Sequence, residues 1–219
     1  MEKIVNIITV KHGTKYGPEY VNKMYNMVYR NITMPFRFYC VTDDSHGLEK
    51  NIRPVMLPED YLYKGWWCKP YIFKTGLFKD GVNFYIDLDM VILRNIDCFM
   101  THMPGQFIGL RNYLYLRENH DGHQSLASGI MRWENNTYNM IHERLQRDDT
   151  IVQSYHGDQD YIWHYHRHDI KFYPDEWTMS YKWDHVRDFK VLPTTKILVF
   201  HGEPRPHQVT DEIVLDNWI

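Results

Sequence analysis

The sequence predicts an α/β fold with a mainly parallel central sheet and flanking helices. Three observations carry that expectation. Short β-branched apolar runs alternate with segments of helical periodicity, the strand-like runs end in polar or glycine-bearing loops, and no internal repeat or Pro- and Gly-rich linker breaks the series. With 219 residues against a typical ~150 per domain, residues 1–219 read as one domain. A chain of this size buries roughly 70% of its unfolded surface, enough to fold without disulfides or a structural metal.

Residues 4–10 form an apolar run that reads as a buried strand, and His12-Gly13-Thr14-Lys15-Tyr16-Gly17-Pro18 follows as a loop of the kind that carries function. In residues 19–29 the apolar side chains Tyr20, Val21, Met24, Met27 and Val28 recur at helical spacing, and Pro35 bars continuation. Residues 36–42 are a second strand and 52–57 a third, interrupted by Pro54. A helix is predicted over 67–78. Gly81 then turns the chain into a strand over 82–86 that ends on Asp87-Leu88-Asp89, followed by Met90-Val91-Ile92-Leu93. Beyond this the pattern loosens: strands are predicted over 106–110, 128–133 and 197–200, and helices over 138–147 and 158–166.

Lys plus Arg is 25 and Asp plus Glu 28, a net charge of −3, so no basic field large enough to bind nucleic acid through its phosphates alone is implied. A hydrophobic fraction of 43% with 24% charged residues excludes general disorder. Aromatic residues reach 16%, and their rings suit sugar and nucleobase faces as well as cores. Cys40, Cys68 and Cys98 are odd in number, lack metal-ligand spacing and sit in apolar runs, which points to a reducing compartment. The chain opens directly on a strand-like run and holds no apolar stretch of ~18 residues, so a cytoplasmic location without a membrane span is expected.

Asp87 and Asp89 are two apart, so on a persisting strand they share a face and can serve one hard cation, directly or through water. They lie beyond the carboxyl end of a strand, where open α/β sheets bind their ligands. Asp-x-Asp is also the pattern of a solvated turn. Apolar runs on both sides argue for the buried role, since carboxylates there must be paired or metal-bound to offset desolvation.

Trp67-Cys68-Lys69-Pro70-Tyr71, the run from Phe84 through Asp87-Leu88-Asp89 to Leu93, Ser128-Gly129-Ile130-Met131, Gly157-Asp158-Gln159 and His201-Gly202-Glu203-Pro204-Arg205-Pro206 occur in that order. Together they resemble the landmarks of nucleotide-sugar-dependent glycosyltransferases of the GT-A type, most of all the glycogenin and galactosyltransferase-like group, family 8. The resemblance covers most of the chain and implies a GT-A, Rossmann-like nucleotide-sugar-binding fold. It implies that Asp87 and Asp89 hold a divalent cation, manganese or magnesium, across the donor's two phosphates, with His201 as third ligand. A carboxylate, imidazole and phosphate-oxygen shell suits manganese.

By the same resemblance, Gly202 and Arg205 belong to the segment that clamps the diphosphate, Arg205 standing where the family usually has lysine, and Lys69 touches the donor. Thr9 and Tyr16 are the candidates for holding the base, Tyr16 by stacking on uracil. Ser128 retains a donor contact, although Ala127 replaces the family's usual asparagine and removes an amide from the donor sugar. Asp158 and Gln159 take the catalytic positions that bind sugar hydroxyls and border the anomeric carbon, and Asp158 also fits a helix N-cap.

The implied function is metal-dependent, retaining transfer of a hexose from a UDP-sugar to a hydroxyl acceptor, whether glycan, protein or small molecule. Retention leaves two routes open. Either an enzyme carboxylate such as Asp158 attacks first, or departure and attack share one face and the leaving phosphate takes the acceptor proton; with no evident nucleophile, the second is favoured. A metal-dependent nucleotidyltransferase or phosphohydrolase would use the same carboxylate pair, and a non-catalytic sugar-binding module would use the aromatic rings. Neither a Walker nor a Rossmann glycine-rich loop occurs in the sequence.

Overall fold

β1 (Val5–Lys11) lies near the middle of a seven-stranded sheet, paired in parallel with β2 (Phe36–Thr42) from Val5↔Phe36 to Lys11↔Thr42 and, on its other side, with β4 (Val82–Ile86). The computed structural model describes residues 4–113, 125–185 and 190–219. With β3 (Ile52–Met56), β6 (Phe107–Arg111), β7 (Leu126–Glu134) and β8 (Ile170–Phe172), the strand order is β3-β2-β1-β4-β7-β6-β8. β7 runs antiparallel to β4 and β6, and the remaining pairings are parallel, as the sequence predicts. Pro54 sits on β3, an edge strand, where a missing N–H is tolerated.

Successive residues of β1 bury on opposite faces, so each face carries its own core. On one face Val5 and Ile7 pack with Phe38 and Cys40 beneath α1 (Pro18–Asn31), whose Tyr20, Val21, Met24, Met27 and Val28 are buried at the predicted helical spacing. On the other, Ile8, Val41, Tyr85 and Met131 lie under Trp67, Ile72 and Phe73 and the helices Met140–Arg147 and Asp158–His166. All three cysteines are free thiols. Among the described residues no helix is long and apolar enough to cross a membrane.

The helix expected over 67–78 is instead a 3₁₀ segment, Gly65–Phe73. Pro70 inside it lacks an N–H donor, and every side chain from Trp67 to Phe73 is buried, so the segment has no polar face to present as a surface helix does. Gly76, at φ 82°, turns the chain soon afterwards.

A second sheet, not foreseen as a unit, joins β5 (Met90–Ile92), β10 (Ile197–Val199) and β9 (Thr178–Ser180). β10 pairs antiparallel with β5 and parallel with β9. Residues 87–89 are therefore the crossing from the large sheet to the small one. The carboxyl-terminal residues return to α1, where Lys23 Nζ donates to the Trp218 carbonyl at 3.0 Å and the Arg30 guanidinium to that of Asn217 at 2.7 Å.

His142 on the Met140–Arg147 helix is 8% exposed, edge-on to Tyr71, and its Nδ1 has no hydrogen-bond partner among the described residues. Burial, with Lys74 adding to it, lowers its pKa from 6.5 to about 4. Between those values the unfolded chain binds the proton and the folded chain does not, so this part of the stability is complete above about pH 6.5 and is lost as pH falls toward 4. We expect the melting temperature to fall across that window. His142→Phe, which keeps a ring against Tyr71 but cannot titrate, should flatten the fall; identical pH profiles of Tm for the two proteins would assign the effect to other groups.

Candidate active site

The large sheet delivers Asp87 and the small sheet delivers Asp89. Asp87 N–H donates to the Gly129 carbonyl at 2.8 Å, one rung beyond the β4–β7 ladder, and the Asp89 carbonyl accepts from Phe200 N–H at 3.0 Å, one rung beyond β5–β10. A Cβ at position 129 would come within 2.6 Å of Met90 Cε and 3.1 Å of Asp87 Oδ2, so glycine is what lets β7 lie against the carboxylate.

Lys69 is the hub. Its Nζ lies 3.2 Å from Asp158 Oδ2, 3.3 Å from Asp87 Oδ1 and 3.0 Å from Ser128 Oγ, and the residue is 7% exposed. Ser128 donates to Asp158 Oδ2 at 2.6 Å, and the Tyr85 hydroxyl donates to Asp87 Oδ1. Burial depresses the Lys69 pKa, but Asp158 and Asp87 outweigh it and hold the ammonium above its ordinary value, so it stays charged. Burial raises the Asp87 carboxyl against the opposing pull of Lys69. Burial, and after it the Asp87 charge, pushes Asp89 up to about 6 although the Tyr16 hydroxyl donates to its Oδ2 at 2.8 Å.

The N-cap expected of Asp158 is not observed. Gly157 occupies that position, Asp158 is the first residue of the helix, and no side chain caps it. An ion pair with a buried ammonium joins two full charges, whereas a bond to a helix N–H has only one, so the carboxylate turns inward to Lys69.

Two adjoining cavities of about 350 and 330 Å³ share Trp66, Lys69, Asp87 and Asp89 as a common wall. The first is lined also by Ser128, Asp158, Gln159 and His201, and the second by Val10, His12, Lys15 and Tyr16. The structure thus brings together all but three of the residues singled out from sequence. Arg205 lies just outside both linings, its guanidinium 5.4 Å from the Tyr16 ring centroid and 3.1 Å from Glu203 Oε1. Gly202 adopts a left-handed φ of 84° at the start of that segment. Thr9 is fully buried in β1, outside both linings, with its hydroxyl unpartnered among the described residues.

His201 Nε2 is 2.6 Å from Ser180 Oγ, and its ring lies parallel to Tyr113 at 5.9 Å. Tyr85, Trp66 and His156 belong to the site without having been foreseen. Tyr85 was findable, because it stands two residues before Asp87 on the same face of the strand; nothing in the sequence separates Trp66 from Trp67.

Two half-buried carboxylates, of which Asp87 raises the pKa of Asp89, with an imidazole on the same cavity wall, supply oxygen and nitrogen donors of the kind a divalent cation takes. The donors are not gathered into a shell. Among the described residues no group of three or more His, Cys, Asp or Glu side chains has metal-holding geometry.

No family model and no curated protein matches the sequence. Solved structures do match. GlyE of Streptococcus pneumoniae TIGR4, a glycosyltransferase, superposes with a TM-score of 0.70 at 11% identity over 97% of this chain, which spans only 61% of GlyE. The galactosyltransferase LgtC, in complex with donor and acceptor sugar analogs, gives 0.64 at 11% identity over 92% of this chain and 88% of its own. The bifunctional glycosyltransferase WbbM gives 0.66 at 11% identity over 100% of this chain and 50% of its own. Identities this low speak to architecture, and on that ground the chain has the fold of the GT-A glycosyltransferases.

Proposed function

We propose that the protein transfers a hexose from a UDP-sugar to a hydroxyl acceptor, with retention at the anomeric carbon and with a divalent cation. The observation that carries this reading is the Lys69 hub, which joins Asp87, Ser128 and Asp158 at the meeting of two cavities on a GT-A fold. An active-site mutant of LgtC exchanges glutamine for glutamate, and the glutamine of this chain that borders Asp158, Gln159, lines the cavity.

Asp87, Asp89 and His201 would hold the cation, manganese or magnesium. Once bound, it supplies counter-charge to the departing nucleoside diphosphate. The chain's own groups do the rest. Arg205, carried to the Tyr16 ring by the carboxyl-terminal segment, offers a guanidinium fork to phosphate, and the Tyr16 side of the cleft takes the base. Lys69, fixed between two carboxylates, orients Asp158 and Ser128 toward the sugar.

In the step itself the bond from the anomeric carbon to the phosphate oxygen breaks, leaving its electron pair on the diphosphate. The acceptor oxygen then bonds to that carbon from the same face and its proton passes to the leaving oxygen. Asp158 Oδ2 already accepts from both Lys69 and Ser128, which lowers its nucleophilicity and favours this route over covalent attack.

A thermal-shift series with UDP-glucose and UDP-galactose, with and without manganese, tests the reading. A ligand at 100 times its Kd adds about 2.7 kcal/mol of stability. No shift with either donor in the presence of manganese would remove the proposal, and stabilisation by free saccharides but not by UDP would point to a sugar-binding module.

A further inference from the structure

Two consecutive tryptophans in the 3₁₀ segment have opposite fates. Trp67 is 7% exposed and packs against Tyr161, whereas Trp66 is 57% exposed on the wall common to both cavities. Single exposed apolar residues are ordinary on a surface, but a large ring left open at a cavity rim marks a ligand surface.

The surroundings of Trp66 say what kind of ligand. The His156 ring lies within 10° of parallel to the indole, with centroids 6.5 Å apart. A Cβ added at Gly157 would come within 3.6 Å of Trp66 Nε1, so the indole edge reaches the start of the helix that bears Asp158 and Gln159. The side-chain amide of Gln159 has no partner among the described residues and lines the same cavity. The result is an aromatic shelf that ends in groups able to bind hydroxyls.

That combination matches a pyranose, which has an apolar C–H face for the ring and a rim of hydroxyls for the amide and carboxylate. A lipid would find the charged wall costly, and a small alcohol would leave the shelf uncovered. We infer that Trp66 and His156 form the acceptor subsite and that the acceptor is a saccharide, its apolar face on the indole and its accepting hydroxyl directed past Gln159 toward Asp158. This inference rests on the glycosyl-transfer reading.

The test is calorimetric titration of the full chain with methyl β-galactoside, methyl α-glucoside, lactose and maltose, with glycerol and a serine peptide as hydroxyl controls. It is run on wild type, Trp66→Ala, Trp66→Phe and His156→Ala, alongside UDP-galactose and UDP-glucose titrations with manganese. At least one saccharide should bind wild type, Trp66→Ala should weaken it by ~10-fold or more, and Trp66→Phe by less than ~3-fold, as expected when one central ring carries most of the contact. His156→Ala should give an intermediate loss.

In transfer assays the His156→Ala defect should fall on the acceptor KM, with the UDP-sugar titration midpoint moving less than ~3-fold, because His156 lines only the first cavity. Binding of none of the four saccharides, equal saccharide affinity in wild type and Trp66→Ala, or use of glycerol or the peptide as readily as a saccharide would each overturn the inference. Saccharide binding that depends on Trp66 without any binding of UDP-sugar would keep the shelf and sink the transfer reading, so the two fail separately.

Discussion

Replacing Asp89 by Asn is expected to lower hexose transfer by at least ~100-fold while leaving the fold intact. The structural work at this position is done by the backbone, whose carbonyl accepts from Phe200 N–H at 3.0 Å, and that bond survives the change. An amide oxygen can still accept from Tyr16. What disappears is one negative charge from a half-buried pair, in which the Asp87 charge raises the Asp89 pKa and on which a cation would be held. The melting temperature should therefore hold or rise, since a partly desolvated charge repelled by Asp87 has been removed. Manganese affinity, measured by calorimetry without donor, should fall together with turnover. Near-normal manganese binding and transfer in Asp89→Asn would remove the carboxylate pair from the mechanism.

Lys69→Met should act in the opposite way, costing stability first. The ammonium sits between Asp158 at 3.2 Å and Asp87 at 3.3 Å, and removing it leaves the buried Asp158 carboxylate without its counter-charge beside the half-buried Asp87. Breaking a buried pair from one side typically costs ~3–5 kcal/mol. A urea midpoint well below that of wild type is the expected result, and an unchanged midpoint would mean that the hub is solvated in solution. Pairing the substitution with Asp158→Asn removes one of the stranded charges and should restore part of the midpoint but none of the transfer. Stability and chemistry are thereby separated at one residue.

Much of this was legible in the sequence where one physical pattern dominates a long enough segment. β1 and β2 are largely buried and read as mainly apolar runs, and α1 shows its buried face at helical spacing. β8 and β9 are three residues each, too short for any periodicity to register, and without β9 the small sheet could not be foreseen. The 3₁₀ segment misled for a related reason: a run apolar but for Lys69 and buried from Trp67 to Phe73 cannot reveal its period, and only Pro70 hinted at the break. The carboxylate pair announced itself by its flanks, but the inward turn of Asp158 did not. Local pattern proposes a cap, whereas the competing partner, Lys69, is far away in sequence and enters only through the packing of the 3₁₀ segment against that helix.

The crossing of the chain between its two sheets has a consequence for when the protein becomes competent during folding. The bonds that assemble the cleft join distant stretches of chain: Tyr16 to Asp89 across 73 positions, and Tyr20 to His207, which ties the Arg205 segment to α1, across 187. Closing such long loops is entropically slow compared with forming helices and neighbouring strands. β1, β2 and α1 can therefore assemble before the cleft does, whereas His201 takes its place only when β10 docks on β5. A partly folded chain thus carries the Tyr16 loop without its opposite wall. A ligand that bridges the two walls is therefore expected to bind, and so to stabilise, only the chain in which β10 has docked.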